Sequence, residues 1–260
     1  MNILEKIIQH KRIEVAEAKK GISIDELKEK SLFNRTCYSL RESVVDLNKN
    51  GIIAEYKRAS PSKGTINAHS DVREIAKAYE QNHVSAISVL TDSEFFKGNL
   101  NDLIAVRETV QIPVLRKEFI VDPFQITEAK AYGADIILLI AACLSSDEIK
   151  EFSSYAKKIG LNVLLEVHNE EELKDNKFDT IDAIGVNNRN LIDFSVSLQH
   201  SLDLVNLIPV QYIKVSESGI NDPETIKLLK NEGFQAFLIG ENFMKTEDPA
   251  QAIQEFVRHI

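Results

Sequence analysis

IIAEYKRASPSKGT, residues 52–65, starts as an apolar run and ends as a polar loop. Ile52, Ile53 and Ala54 have the character of a parallel strand buried on both faces. Glu55 and Lys57 then stand two residues apart, and side chains at i and i+2 of a strand project to the same side. Opposite charges sharing a facing at the end of a buried strand, with Ser60, Pro61, Ser62, Lys63 and Gly64 beyond them, describe the rim of a site rather than a core.

Outward from this strand the pattern recurs. Short apolar runs begin near Ile52, Val84, Ile112, Asp135, Asn162, Asp182, Tyr212 and Gln235. Helical periodicity fills the intervals at 71–81, 100–109, 123–132, 146–159, 170–177, 197–207, 223–231 and 249–259. Asp122-Pro123, Asp222-Pro223 and Asp248-Pro249 each set a capping residue before a Pro suited to the first helical position. Gly133, Gly160 and Gly233 follow helical segments, where a left-handed residue is wanted. Upstream, Ile3, Ile7, Ile8 and Val15 among charges predict an amphipathic helix over 2–20 that stops near Gly21. Ser23 with Glu26 forms a capping-box pattern for a second helix, 39–48 reads as a third, and Asn50-Gly51 as a turn. Eight strand–helix units predict a closed (β/α)8 barrel. The competing open, doubly wound sheet would carry a glycine-rich turn after its first strand, and residues 60–64 hold one Gly without GxGxxG spacing. The expectation is one α/β barrel domain over 1–260, with 1–50 as its N-terminal helical extension.

Composition excludes several classes. The formal net charge of −9 is spread along the chain, against the basic face of a nucleic-acid binder. No apolar run approaches the ~20 residues of a membrane span, and the charged start MNILEKIIQHKR lacks the apolar core of a signal peptide, so the expected location is the cytoplasm. Cys37 and Cys143 match no metal or redox spacing and read as small apolar residues. A monomer is expected, with weak self-association as the alternative.

In such a barrel the reacting groups belong at the carboxyl ends of the strands, and this chain concentrates charge there. After the first strand's Glu55 and Lys57, residues 112–115 run into Arg116-Lys117-Glu118-Phe119. Residues 163–165 end in Glu166, 183–186 lead to Asn187-Asn188-Arg189, and 212–215 to Ser216-Glu217-Ser218-Gly219. Lys117 shares the facing of Leu115, which points both into the barrel. Glu55, Glu166 and Glu217 balance Lys57, Lys117 and Arg189 in formal charge, and balance matters because unpaired ions in a dry mouth cost several kcal/mol each. A purely structural ring of ion pairs is the alternative. Ser218-Gly219 after the seventh strand, and Gly240 followed by an expected helical turn at 241–244 after the eighth, form the pattern of a phosphate site. None of the six histidines has metal-ligand spacing; His168, beside Glu166, is the one near the mouth, and a supporting or surface role is expected for it. Nucleophile-elbow and Walker patterns are missing as well, so the chemistry expected is acid–base work by Lys and Glu, with no metal and no cofactor.

AEYKRASPSKG at 54–64, PVLRKEF at 113–119, LLEVH at 164–168, GVNNRNL at 185–191, SESGI at 216–220 and LIGENFM at 238–244 resemble the indole-3-glycerol-phosphate synthase family, barrel lyases of tryptophan biosynthesis. The resemblance covers essentially the whole chain, extension included. It implies a carboxy-lyase acting on a phosphorylated small molecule, 1-(2-carboxyphenylamino)-1-deoxyribulose 5-phosphate, and releasing indole-3-glycerol phosphate, carbon dioxide and water. It implies Lys117 as the general acid of ring closure and Glu166 as base or acid of the dehydration. Lys57 would hold anionic groups or act as a second acid, with Glu55 and Asn187 orienting, and Glu217 and Ser218 completing the polar wall. Ser60 and Arg189 would bind substrate, and Phe96, Phe119, Leu138 and Leu191 would surround the aromatic ring. Ser218, Gly219, Gly240 and Glu241 would bind phosphate, chiefly through backbone N–H groups. Two positions depart from the family pattern: Glu118 replaces the more usual Asp, and Asn242 a small residue. The rivals are a phosphoribosylanthranilate isomerase-like barrel, whose Cys is missing from the first strand, and a non-catalytic barrel that binds sugar phosphates.

Overall fold

The barrel strands are β1 (Ile52–Tyr56), β2 (Ala86–Leu90), β3 (Val114–Lys117), β4 (Ile136–Ile140), β5 (Asn162–Val167), β6 (Ala183–Asn187), β7 (Ile213–Glu217) and β8 (Ala236–Ile239). In the computed structural model, which describes residues 3–190 and 193–260, they pair in parallel, each with its sequence neighbours, and β1 closes on β8. The register sorts alternate residues onto two surfaces. Ile53, Ala86, Leu115, Ile136, Leu138, Leu164, Ala183, Ile213, Val215, Ala236 and Leu238 fill the barrel interior. Ile52, Ile87, Val114, Ile137, Val163, Ile184 and Phe237 face outward into the layer shared with the helices. Burial on both sides explains the continuous apolar runs, and each fully buried aliphatic side chain contributes about 1.5–3 kcal/mol.

The surrounding helices start where side-chain oxygens satisfy their first N–H groups. Asp71, Asn99, Asp122, Ser145, Asn169, Asp222 and Asp248 all cap in this way. Pro123, Pro223 and Pro249 take the first turn, as their sequence context predicts. Several helices end earlier than their periodicity suggests, and two of them show a local reason. The third helix of the extension stops at Val45 because Asp46 turns the chain, its carboxylate accepting the backbone N–H of Asn48 at 2.9 Å. The helix beginning at Glu170 stops at Asp175, where Asn176 leaves helical geometry. Residues 58–67 are more ordered than a plain loop, since Ala59–Ser60 pairs antiparallel with Gly64–Thr65.

The extension runs along the barrel from one end to the other. Its first helix, α1 (Ile3–Gly21), lies at the carboxyl ends of the strands, where Lys11 is buried between Asp92 at 2.9 Å and Glu118 at 3.0 Å. Next, α2 (Ile24–Glu29) packs Leu27 with Val15, Phe124 and Ala131. Then α3 (Leu40–Val45) plugs the amino end with Leu40 and Val44, and Ser43 Oγ donates to the Ser85 carbonyl at 2.6 Å. Among the described residues no helix is long and apolar enough to cross a membrane.

Candidate active site

Three strands bring one ammonium and two carboxylates together at the barrel's carboxyl end. Lys117, the last residue of β3, extends across the interior to Glu217 Oε2 on β7 at 2.6 Å and Glu166 Oε2 on β5 at 3.2 Å. Asn187 on β6 donates Nδ2–H to Glu166 Oε1 at 3.0 Å. Beside this triad Lys57 Nζ stands 2.8 Å from Glu55 Oε1, as the i, i+2 facing requires.

Small residues make this crowding possible. A Cβ at Gly185 on β6 would collide with Glu217 Oε1 and stand 3.1 Å from its Cδ. A Cβ at Gly240, just past β8, would stand 2.8 Å from both Cβ and Oε1 of Glu55. Each glycine gives up its own side-chain volume to a carboxylate on the neighbouring strand.

Burial disfavours the charged form of every member, and the neighbours then decide each case. Burial pulls the Lys117 ammonium down, but Glu217, Glu166 and Glu55 together hold it well above the ordinary lysine value. Burial lifts the Glu166 carboxyl, yet Lys117, His168 and the Asn187 hydrogen bond bring it below the usual range. Glu217 is pushed up to about 7 by burial, which Lys117 only partly offsets while Glu166 adds repulsion. Its Oε1 has no hydrogen-bond partner among the described residues. Two carboxylates around one ammonium thus differ in proton affinity, the condition for dividing acid and base roles between them.

The same cavity has an apolar wall and a polar end. Phe96 and Phe119, with ring centroids 6.1 Å apart, line it with Leu138. Leu191 lies outside the described residues. At the polar end Ser60, Arg189, Ser218 and Glu241 face the cavity, with Lys57, Lys117, Glu166, Asn187 and Glu217 deeper in it. Ser218 and Gly219 are consecutively left-handed, at φ 66° and 78°. Asn188 secures that turn by donating to Ser216 Oγ and to the Ser218 carbonyl, both at 3.1 Å. Gly240 precedes the short helix Glu241–Met244 and accepts the N–H groups of Phe243 and Met244.

Arg189 departs from the expected charge grouping. It lies 3.5 Å from Glu241, outside the triad, while Lys63 approaches the same carboxylate at 3.9 Å. Asn242 Nδ2 donates to the Asn221 carbonyl at 3.1 Å. A helix of the extension covering part of the barrel is expected from the sequence, but not that α1 walls the site itself: Ile3, Leu4 and Ile7 line the cavity. Their helical spacing was visible, but nothing local announces which surface the helix covers. Asn188 was also missed, although it adjoins Asn187 in the same motif. Among the described residues no group of three or more His, Cys, Asp or Glu is placed to hold a metal ion.

Fold and site together define a (β/α)8 barrel with a lysine–carboxylate pocket at the carboxyl ends of its strands. Solved structures agree on the fold: 3-hexulose-6-phosphate synthase from Salmonella typhimurium superposes with a TM-score of 0.61 at 13% identity, over 81% of this chain and 98% of that one. A chain of the Pyrococcus furiosus tryptophan synthase complex gives 0.60 at 16%, over 82% and 98%. Sequence comparison goes further. The family model for indole-3-glycerol phosphate synthase matches residues 4–256. The indole-3-glycerol phosphate synthase of Bacteroides thetaiotaomicron is 44% identical over 259 residues, 100% of this chain and 99% of the relative. That of Caldanaerobacter subterraneus subsp. tengcongensis is 44% identical over 258 residues, 99% and 98%. The chain belongs to the indole-3-glycerol phosphate synthase family.

Proposed function

We propose that this chain is a carboxy-lyase of tryptophan biosynthesis that converts 1-(2-carboxyphenylamino)-1-deoxyribulose 5-phosphate into indole-3-glycerol phosphate, carbon dioxide and water. The observation that carries the residue assignment is Lys117 between Glu166 and Glu217 in a cavity that is apolar on one side and polar at the other end. The aromatic ring fits the wall of Phe96, Phe119 and Leu138, and the phosphate fits the end formed by Ser218, Gly219, Gly240 and Glu241, bound through backbone N–H groups with Arg189 nearby. Glu241 contributes through its backbone, since its carboxylate would repel the anion.

In this reaction the amine nitrogen feeds electrons into the ring, and the ring carbon bearing the carboxylate attacks the C2′ carbonyl. The oxygen of that carbonyl becomes far more basic as the bond forms, and Lys117 gives it a proton; its tightly held ammonium keeps the proton until then. The carboxylate leaves as carbon dioxide, and its bonding pair restores the aromatic ring. Dehydration follows: Glu166, ionised, takes a proton from C1′ while the C2′ hydroxyl leaves with a proton from an ammonium group, for which Lys57 is placed. Glu55 holds Lys57, Asn187 holds Glu166, and Glu217 aims Lys117. The ring acts as its own electron sink.

Residues 1–50 act in this account as an extension of one barrel domain, because α1 roofs the cavity. The working unit in this proposal is a monomer. Incubation with the carboxyphenylamino ribulose phosphate should produce indole absorbance and fluorescence together with one carbon dioxide per turnover. Binding without indole formation would leave a non-catalytic barrel, and an isomerised sugar with its carboxyl group retained would indicate the isomerase.

A further inference from the structure

His168 follows Glu166 by two residues and continues the inward-facing row of Leu164 and Glu166 at the end of β5. Its side chain is 14% exposed. Nε2 stands 3.5 Å from Glu166 Oε1 and has no hydrogen-bond partner among the described residues. On the far side Nδ1 lies 3.4 Å from Glu172 Oε2, within the helix Glu170–Asp175. Glu172 is itself fixed, Oε2 accepting the backbone N–H of His168 and Oε1 accepting Asn169 Nδ2, each at 2.8 Å. Glu166 lines the cavity, whereas His168 stands behind it.

We propose that His168 is a positioning residue for the reaction: held by Glu172 through Nδ1, it presents Nε2–H to Glu166 Oε1 and keeps that carboxylate ionised and aimed to accept a proton. The proposal rests on Glu166 as the base of the dehydration. Lys117 alone is a poor guarantor of that ionisation. It sits closer to Glu217 than to Glu166, at 2.6 against 3.2 Å, and substrate oxygen competes for it during ring closure. Once Lys117 has given up a proton, the imidazolium and Asn187 are what still hold Glu166.

The three carboxylates around the imidazole favour its cationic form, and the ammonium of Lys117 opposes it from farther off. Glu166 faces it from β5, Glu172 from the following helix and Glu217 from β7, and Lys117 on β3 stands beyond the carboxylates. Burial pulls the ring down, but the hydrogen bond to Glu172 and the charges of Glu166, Glu172 and Glu217 together raise it above the ordinary histidine value. A cation at this distance in turn favours the charged form of Glu166.

The test is a pH profile of kcat and kcat/KM for His168→Gln, Glu172→Gln and the double variant. Each should move the acid limb to higher pH, lowering kcat at pH 6 by about tenfold while leaving it within about twofold of the parent at pH 8.5. Because the two groups act in series, the double variant should shift no further than His168→Gln alone. A separate readout needs no turnover: the ¹⁵N-labelled His168 imidazole should titrate above the ordinary value of about 6.5 in the parent and fall in Glu172→Gln. A loss that is uniform across pH, additive shifts, or an imidazole that titrates at or below the ordinary value overturns the proposal. Glu166→Gln is assayed alongside: if it is fully active, the base role falls and this proposal with it, whereas an inactive Glu166→Gln with unshifted His168 profiles refutes the His168 role alone.

Discussion

Gly185→Ala offers a sharp test of how the pocket is packed. The added methyl would occupy the space of Glu217 Oε1, 3.1 Å from Glu217 Cδ and 3.3 Å from Leu164 Cδ1. Leu164 is locked in the barrel interior, so the carboxylate has to give way by roughly 1 Å, and a displacement of that size at a reacting group can cost about 10²-fold in rate. Glu217 cannot retreat freely, since Oε2 is bound to Lys117 at 2.6 Å and the side chain is 1% exposed. The expected result is a kcat lowered by about 10²-fold with the ammonium misplaced. Overpacking of this kind destabilises a fold by about 1–3 kcal/mol, and at this chain length each kcal/mol lowers Tm by roughly 2–4 °C. The variant should therefore remain folded at the assay temperature. Thermal unfolding and steady-state kinetics measured on the same preparation separate the two effects. Shortening the carboxylate in Gly185→Ala/Glu217→Asp should recover part of the lost rate. A folded Gly185→Ala with kcat within about twofold of the parent would refute the claim that Glu217 must lie against β6 to aim Lys117, and a loss that only tracks unfolded protein would refute it equally.

Glu166→Gln should lower kcat by about 10²–10⁴-fold with KM changed less than about threefold, and the decarboxylated but undehydrated species should accumulate in single-turnover mass spectra; a pure KM effect would count against the base role. Glu217 gives a stability signature. Its carboxyl, at about 7 in the fold, lies above the value of 4.5 for a free glutamate side chain, so the folded state binds this proton more tightly than the unfolded state. That contribution is fully present below about pH 4.5 and is lost as pH rises through about 7. Urea unfolding should accordingly show the parent losing stability relative to Glu217→Gln between those limits, and a constant difference would contradict the raised value. The hairpin that spans the Arg58–Asn67 segment carries cavity-lining Ser60, Pro61 and Ser62, and it should become more resistant to protease when substrate or product is bound; equal cleavage in both states would remove it as a lid.

Much of the barrel was legible because its signals are local. Eight apolar runs, three Asp-Pro helix starts and the alternation from Leu115 to Lys117 all lie within a few residues of sequence. The long-range pairings were not. Lys11 reads as one charge among many in an amphipathic helix, yet it is 1% exposed and joins α1 to Asp92 and Glu118. Removing one partner of such a buried group costs about 3–5 kcal/mol, and no window of sequence shows which partners those are. Arg189 illustrates the same difficulty, since formal charge balance grouped it with the triad and the fold pairs it with Glu241 across 52 positions. His168 stands out in the sequence for its place beside Glu166, but its clamp by Glu172, four residues on, depends on how the chain enters the next helix.

Lys117 as the proton donor of ring closure is the assignment on which the proposed reaction depends. Rapid-quench kinetics of Lys117→Ala, with substrate binding followed in the same preparation by fluorescence, tests that most directly. The predicted result is substrate bound within about threefold of the parent affinity and a ring-closure rate lowered by about 10²–10⁴-fold or more. A ring-closure rate close to the parent's, in a folded Lys117→Ala protein, would contradict it.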